Sequence, residues 1–239
     1  MRSNLNKKNL HFIIRASIAV FITYLSMYAF RKPFTAAQFQ NKQVWGIDFK
    51  ILLIITQLIG YTISKYFGIK IISELTPQKR TITLIILMTT AWLSLLCCAL
   101  VPIPYNLPFM FLNGLPLGMI WGVVFSYIEG RKDTELLGAV MASSFIVSSG
   151  IVKSAGSYLL VNLNVSEIWM PFITGLIFLP ILILGIYLLN SLSVPSTEDK
   201  EFRTERIPMQ KNERKAFYKR DRKSTRLNSS HVSESRMPS

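Results

Sequence analysis

The stretch Tyr28-Ala29-Phe30-Arg31-Lys32-Pro33-Phe34 places two adjacent cations inside an apolar run that extends from residue 12 to residue 39. An ionised side chain at the centre of a membrane helix costs about 2.5–3.5 kcal/mol on insertion scales, so it is usually retained for a substrate, an ion or a counter-charge. If the helix continues to Phe39, Arg31 lies about 12 Å below its end, at 1.5 Å per residue. The alternative is a span that ends at Phe30, with both cations reaching the lipid headgroups.

The composition is typical of a membrane protein. Half of the residues are hydrophobic, and the mean hydropathy is +0.35. The net charge of +14 also occurs in nucleic-acid-binding proteins, but here the cations lie in the connections and the tail, which fits membrane topology better. Cys97 and Cys98 are adjacent in an apolar stretch, and His11 is the only histidine before the tail. We therefore expect no disulfide framework, no metal site and no cofactor.

Six apolar stretches are long enough to cross the hydrocarbon core of a bilayer. They predict helices at residues 12–39, 48–72, 81–101, 106–129, 135–161 and 168–191. The predicted fold class is an all-α membrane protein whose six-helix transmembrane domain occupies residues 1–192. The polar segment at residues 193–220 is interpreted as a cytoplasmic linker. As an alternative, residues 211–220 form a short amphipathic helix on the inner leaflet.

The end of the chain resembles the translation of a DNA sequence that does not belong to the gene. Residues 221–231, Asp-Arg-Lys-Ser-Thr-Arg-Leu-Asn-Ser-Ser-His, match one reading frame of a common short-read sequencing adapter, and residues 234–239 match its continuation. The alternative is a native disordered tail rich in serine and arginine. We interpret residues 221–239 as a translated artefact, and we expect the natural protein to continue beyond Arg220.

The charges of the connections predict the orientation in the membrane. Lysines and arginines occur at the amino terminus, in the second and fourth connections and after the sixth span, whereas the third and fifth connections contain none. Because cytoplasmic loops carry an excess of these residues, both ends of the chain are expected on the cytoplasmic side of the inner membrane. Lys42 and Lys50, in the first connection, are exceptions to this pattern.

Three of the predicted helices carry cations on a polar face. The residues at helical spacing are Tyr24, Tyr28 and Arg31 on the first, Gln57, Tyr61 and Lys65 on the second, and Ser149 and Lys153 on the fifth. No Asp or Glu lies in the interior of any span, so the three faces predict a basic cavity for an anion. A guanidinium binds phosphate through paired hydrogen bonds, while ammonium and tyrosine groups add charge and donors. The alternative is that Lys65 and Lys153 reach headgroups or pair with a carboxylate elsewhere in the protein.

The remaining motifs favour packing over catalysis. Gly114, Gly118 and Gly122 form a small-residue ridge that predicts close helix packing on the fourth helix. Arg15 lies near the end of the first span and is expected to reach the membrane surface. The sequence contains no phosphate-cradling Gly-Lys-Ser motif, no paired catalytic carboxylates and no nucleophile elbow, so we expect no enzymatic activity.

These residues resemble the major facilitator superfamily, and specifically its organophosphate:inorganic phosphate antiporters. Three motifs of that family are matched, by Arg31-Lys32-Pro33-Phe34, by Tyr61-Thr62-Ile63-Ser64-Lys65 and by Gly118-Met119-Ile120-Trp121. An uncharacterised family of similar membrane proteins shares the Arg-Lys-Pro-Phe version of the first motif. The resemblance implies the amino-terminal half of a twelve-helix fold. It also implies a substrate site formed by Arg31, Lys32, Tyr24, Tyr28, Tyr61, Lys65 and Trp121.

The chain departs from that family at two places. The fifth-helix histidine is replaced by Phe145, while Lys153 appears two turns later. The Asp-Arg loop signature that follows the second helix in the superfamily is reduced to Ser73-Glu74. Without the histidine, a small organic anion other than the family's own substrates becomes an alternative.

The resulting hypothesis is a transporter that exchanges a small organic anion, with a phosphorylated metabolite as first candidate, by alternating access. Arg31 is expected to bind the anion with help from Lys65 and Lys153, near the midplane between two halves. The expected partners are the anionic substrate, the lipid bilayer and a carboxy-terminal half, with no nucleic acid. The leading rival is a non-transporting receptor of the same fold that senses a sugar phosphate. An integral-membrane enzyme is disfavoured, because the spans lack an acid–base pair and a nucleophile set.

Overall fold

The computed structural model describes the backbone of residues 2–193 and the isolated positions Asp199 and Ala216, with side chains from Leu10 onward. Each of its six long helices contains an apolar stretch long enough to cross a membrane. The protein is therefore an all-α, multi-pass membrane protein. The helices are α1 (Arg2–Ala29), α2 (Phe49–Ser73), α3 (Arg80–Leu100), α4 (Leu107–Phe125), α5 (Thr134–Val161) and α6 (Met170–Asn190). Apart from Ser193 and those two positions, the predicted linker at residues 193–220 and the predicted artefact at residues 221–239 lie outside the described residues.

The prediction of a first helix that extends to Phe39 is wrong. The α-helix ends at Ala29, where the backbone N–H groups of Arg31 and Lys32 both donate to Tyr28 O, at 3.0 and 2.9 Å. Pro33 then starts a 3₁₀ helix, Pro33–Ala36, because a proline ring cannot continue an α-helix and it also restricts the residue before it. Phe39 is buried beyond this break, so the apolar run reflects a packed connection and not a longer helix.

The other five predicted spans agree with the helices to within two residues, except that α4 ends at Phe125 and not at residue 129. A second 3₁₀ helix, Pro77–Lys79, precedes α3. Between the first 3₁₀ helix and α2, an antiparallel hairpin is formed by two strands of two residues each, β1 (Gln43–Val44) and β2 (Ile47–Asp48). The turn residues Trp45 and Gly46 both have positive φ, 54° and 77°, as such tight hairpin turns require.

The helices form two tightly packed groups. α4 packs against α2 and α3, while α1 packs against α5 and α6. The predicted glycine ridge on α4 is confirmed, since Gly114 lies against the backbone of Gln57 and Gly118 lies against Ser64 on α2. A Cβ atom at Gly118 would lie only 2.6 Å from Ser64 Oγ and 2.7 Å from Tyr61 O, so α2 and α4 approach as closely as their backbones allow.

The two ends of the bundle differ in composition. At the basic end, α1, α3 and α5 begin and α6 finishes. There Thr81 of α3 donates to Asn190 of α6 (2.8 Å) and shares a hydrogen bond with Tyr127, which follows α4 (2.9 Å). The opposite end carries the β-hairpin and is called the hairpin end. There Lys42 Nζ lies 3.9 Å from Glu167 Oε2, and Lys50 Nζ donates to Ala37 O at 2.6 Å. The two lysines that break the loop-charge pattern therefore have structural partners.

Candidate functional site

A pair of buried amide side chains fixes the point at which α1 ends. Gln57 Nε2 donates to Arg31 O (3.2 Å) and to Asn113 Oδ1 (2.7 Å). Asn113 Nδ2 donates to Phe30 O (3.2 Å) and to Ala91 O (2.8 Å). Because the last carbonyls of a helix lack helical partners, these two side chains, here called the amide cluster, satisfy carbonyls that the break in α1 exposes. Gln57 was part of a predicted polar face, whereas Asn113 was missed. Its only signal in the sequence is an isolated amide within an apolar span.

The amide cluster also sets the depth of Arg31 within the bundle. Gln57 is eight residues from the start of α2, about 12 Å along the helix, and Asn113 is six residues from the start of α4, about 9 Å. Both helices start at the hairpin end, and both side chains contact the turn that contains Arg31. Arg31 is half-buried. Arg31 and Lys32 therefore follow the end of an α-helix, as in the alternative interpretation of the sequence, yet Arg31 lies well inside the neighbouring helices.

Two predicted cations converge on one tyrosine ring. Arg31 Cζ lies 4.4 Å from the centroid of the Tyr61 ring and 6.0 Å from that of Tyr28. Lys65 Nζ lies 5.0 Å from the Tyr61 ring. All three distances are within the range of cation–π attraction. The two positive charges near the Tyr61 ring, Arg31 and Lys65, are here called the cation pair. They repel each other, so an anion placed beside them would be stabilised.

An aromatic cluster of Tyr24, Tyr28, Trp121 and Phe145 adjoins the cation pair. The Phe145 ring lies 4.8 Å from Tyr24, 5.8 Å from Tyr28 and 5.1 Å from Trp121, and Trp121 meets Tyr24 edge to face at 5.4 Å. Rings at these separations pack favourably. Residue 145 therefore presents an apolar ring and no titratable group to this cluster.

A cleft of about 530 Å³ runs from this region along α2 and α4 to the basic end. Its lining includes Tyr61, Lys65 and Trp121, and it extends to Ser73 at the last residue of α2. Gly118 and Gly122 form part of the α4 wall, where larger side chains would collide with α2. The volume lies within the range of about 300–1,000 Å³ that is usual for small-molecule sites.

The structure brings together six of the eight predicted site residues, namely Tyr24, Tyr28, Arg31, Tyr61, Lys65 and Trp121. Lys32 is half-buried after α1, and its carbonyl accepts a hydrogen bond from Thr35 Oγ1 at 2.7 Å. Lys153 is exposed on α5. Within the described part of the chain, the ammonium group of neither lysine makes a cation–π contact with Tyr61 or with the aromatic cluster.

A second arginine, at the basic end, has a structural role that the sequence did not predict. Arg131 is 5% exposed, its Nε donates to Tyr127 O (3.4 Å), and its Nη2 donates to Ser193 O. The guanidinium also lies 4.6 Å from the ring of Phe12. Burial lowers the pKa of Arg131, an effect that Asp199 opposes and Arg80 reinforces. Arg131 thus ties the α4–α5 connection to α1 and to the end of α6.

Comparison with known proteins identifies one family. A family of unknown function (DUF5690) matches residues 33–224, four fifths of the chain, and the chain belongs to this family. The matched range includes Tyr61, Lys65, Trp121 and Lys153, while Tyr24, Tyr28, Arg31 and Lys32 precede it. Neither a curated protein nor a solved structure matches the chain.

Proposed function

We propose that this chain forms the amino-terminal six helices of a twelve-helix, alternating-access transporter of the major facilitator superfamily, related to the organophosphate:inorganic phosphate antiporters. Its substrate is a small organic anion, with a phosphorylated metabolite as first candidate. One observation carries the proposal. Arg31 and Lys65 approach the same Tyr61 ring in the membrane interior, while the interiors of the six described spans contain no Asp or Glu.

The chemistry of the cation pair favours an anion that accepts several hydrogen bonds. The Arg31 guanidinium offers a planar fork that matches phosphate or carboxylate, and Lys65, which lines the cleft, adds a point charge near the same Tyr61 ring. The Tyr61 hydroxyl supplies a further donor. Because charges inside a membrane protein are costly, two cations without a carboxylate partner are best explained by a ligand that neutralises them.

Two exposed lysines support a second half of the protein. Lys65 and Lys153 are exposed, and each lies eight residues from the end of its helix, which is about 12 Å. Side chains at that depth cannot easily face lipid, so they require a water-filled cavity or another set of helices. In transporters with repeated halves, the substrate site lies at the interface between the halves. The faces of α2 and α5 that carry these lysines would form that interface.

The orientation is proposed from the charges of the connections. Connections at the basic end contain most of the loop lysines and arginines, which supports a cytoplasmic location for this end and an inner-membrane protein. Lys42 and Lys50 at the hairpin end do not oppose this assignment, because Glu167 and Ala37 O bind them. The cleft beside Lys65 would then open toward the cytoplasm.

Uptake into vesicles that contain the full-length protein tests the proposal. We expect Lys65→Ala to weaken uptake and binding of a sugar phosphate by about tenfold, since a hydrogen bond to a charged group is worth about 1.5–3 kcal/mol. Lys70→Ala, which removes an exposed lysine from the same helix outside the cleft, should behave as wild type. Binding without uptake would overturn transport in favour of a sensor. Failure of a panel of phosphates and carboxylates to bind at all would overturn the anion site.

A further inference from the structure

An apolar groove lies between α3 and α6, on the side of the bundle away from the cleft. Its volume is about 340 Å³, comparable to small ligand pockets. Thr89 is the only polar residue on its walls apart from the indole N–H of Trp92. The lining residues are Phe30, Ile85, Met88, Thr89, Trp92, Leu179, Leu182, Ile183 and Ile186.

The groove exists because α3 and α6 each pack mainly on a different helix, α4 and α1 respectively. At its hairpin side the two helices are bridged by Trp92, which stacks on Phe172 at 5.0 Å and donates its indole N–H to Phe172 O at 3.3 Å. Beyond its basic side they are bridged by the hydrogen bond from Thr81 to Asn190. The groove therefore lies between two bridges, and the indole N–H near its hairpin end already has a partner.

The position of the groove places it in the hydrocarbon region of one leaflet. Ile85 is five residues from the start of α3, so the lining begins about 7.5 Å inside the basic end. Water would find one hydroxyl there, that of Thr89, whereas buried waters usually make about three hydrogen bonds. The surrounding bilayer supplies acyl chains at this depth.

A cationic rim lies just beyond the basic end of the groove. Arg15 Nη2 donates to Ser191 Oγ at 2.6 Å, and Ser191 is adjacent to Asn190, which accepts the hydrogen bond from Thr81. On the other side, Arg80 is adjacent to Thr81, and its guanidinium lies 5.8 Å from the ring of Tyr127. Two arginines thus flank the bridge between α3 and α6 at the level where the phosphates of that leaflet lie.

We propose that the α3–α6 groove binds one acyl chain of an anionic phospholipid from the leaflet at the basic end, with the headgroup phosphate beside Arg15 and Arg80. A single amphiphile with a negative headgroup matches the apolar walls, the limited length between the two bridges and the charged rim. This site is independent of the proposed anion cleft, because it shares none of the cleft's lining residues.

Fluorescence quenching by brominated lipids tests the proposal on the whole chain in nanodiscs. The contribution of Trp92 is the difference between wild type and Trp92→Phe. We expect Trp92 to be half-quenched at about fivefold lower mole fraction of brominated phosphatidylglycerol than of brominated phosphatidylcholine, because a basic residue near the membrane surface attracts anionic lipid to about that extent. Arg15→Gln should remove most of this preference. Equal quenching by the two lipids in wild type would overturn the proposal.

Native mass spectrometry of detergent-purified chain gives a second measurement. Wild type should retain one phosphatidylglycerol per chain, and Thr89→Trp, which fills the groove, should retain none. Ile177→Trp is the matched control, because Ile177 is exposed on α6 and does not line the groove. Loss of lipid from both variants, or from neither, would overturn the assignment to the groove. Retention of an apolar molecule without a phosphate headgroup would overturn it as well.

Discussion

The amide cluster and the cation pair are both polar groups at the depth of the membrane spans, but only the amide cluster finds polar partners among the described residues. Both N–H groups of Asn113 and both of Gln57 reach oxygen atoms of neighbouring residues. Arg31 and Lys65, in contrast, contact the faces of aromatic rings and lie near no carboxylate in the described spans. A satisfied neutral network stabilises a fold, whereas a charge at membrane depth without a counter-charge is costly. The difference separates the groups that build the site from the groups that we propose bind a ligand.

The largest expected effect comes from removing the amide cluster. Asn113→Leu leaves Phe30 O and one N–H of Gln57 without their partner, at about 1–3 kcal/mol for each buried group, and it also removes the hydrogen bond to Ala91 O. We expect a large drop in the thermal unfolding temperature in detergent, with or without ligand. Ser143→Leu, on the exposed face of α5, is the control and should change stability little. An unchanged unfolding temperature for Asn113→Leu would show that the cluster is not a fold determinant.

The second prediction concerns the cation pair. Arg31→Lys keeps the charge but removes the planar fork, so affinity for a sugar phosphate should fall by about tenfold to a hundredfold. Its unfolding temperature without ligand should stay close to that of wild type, because Arg31 is half-buried and its guanidinium lies near the rings of Tyr28 and Tyr61, where a lysine ammonium can also be placed. Isothermal titration and thermal unfolding of the same samples separate the two effects. If Arg31→Lys lost stability but kept full affinity, the roles given to the two regions would be reversed.

Local patterns in the sequence predicted the helices and the Tyr61–Lys65 face, since helical periodicity involves neighbours along the chain. The end of α1 was predicted wrongly, because buried Phe34 and Phe39 look the same in a helix and in a packed connection. Pro33 was the signal that outweighed them. Asn113 was missed, because its partners Phe30 and Ala91 are 83 and 22 residues away. The separation of Lys153 from Tyr61 depends on the rotation of α5 in the bundle, which the spacing of residues does not reveal.

A smaller effect is expected when a titratable group is introduced beside the cation pair by the substitution Phe145→His. In Phe145→His the imidazole would pack among Tyr24, Tyr28 and Trp121. Below its usual pKa of about 6.5 the imidazole becomes positive, so anion affinity should rise as the pH falls. We expect a gain of about fivefold over wild type at low pH, roughly 1 kcal/mol.

Because a phosphate monoester itself titrates near pH 6, the same ligand is titrated into wild type and Phe145→His at each pH. The ratio of the two affinities isolates the contribution of the imidazole. A ratio that does not change between pH 5.5 and pH 8 would place residue 145 outside the electrostatic reach of the ligand. The aromatic cluster would then contribute only to the stability of the fold, as the amide cluster does.

The smallest effect is expected for Lys42, which has a carboxylate partner, in contrast to Arg31 and Lys65, which lie near no carboxylate in the described spans. Lys42 Nζ lies 3.9 Å from Glu167 Oε2, and the lysine side chain is 43% exposed. Exposed ion pairs of this kind contribute about 0–1 kcal/mol, so Lys42→Ala should barely shift the unfolding temperature and should leave anion affinity unchanged. Glu167→Ala should cost more, because Glu167 Oε1 also accepts hydrogen bonds from the backbone N–H groups of Gln38 (2.7 Å) and Phe39 (2.8 Å). If Lys42→Ala weakened anion binding as much as Lys65→Ala does, net positive charge and not the cation pair at Tyr61 would attract the ligand.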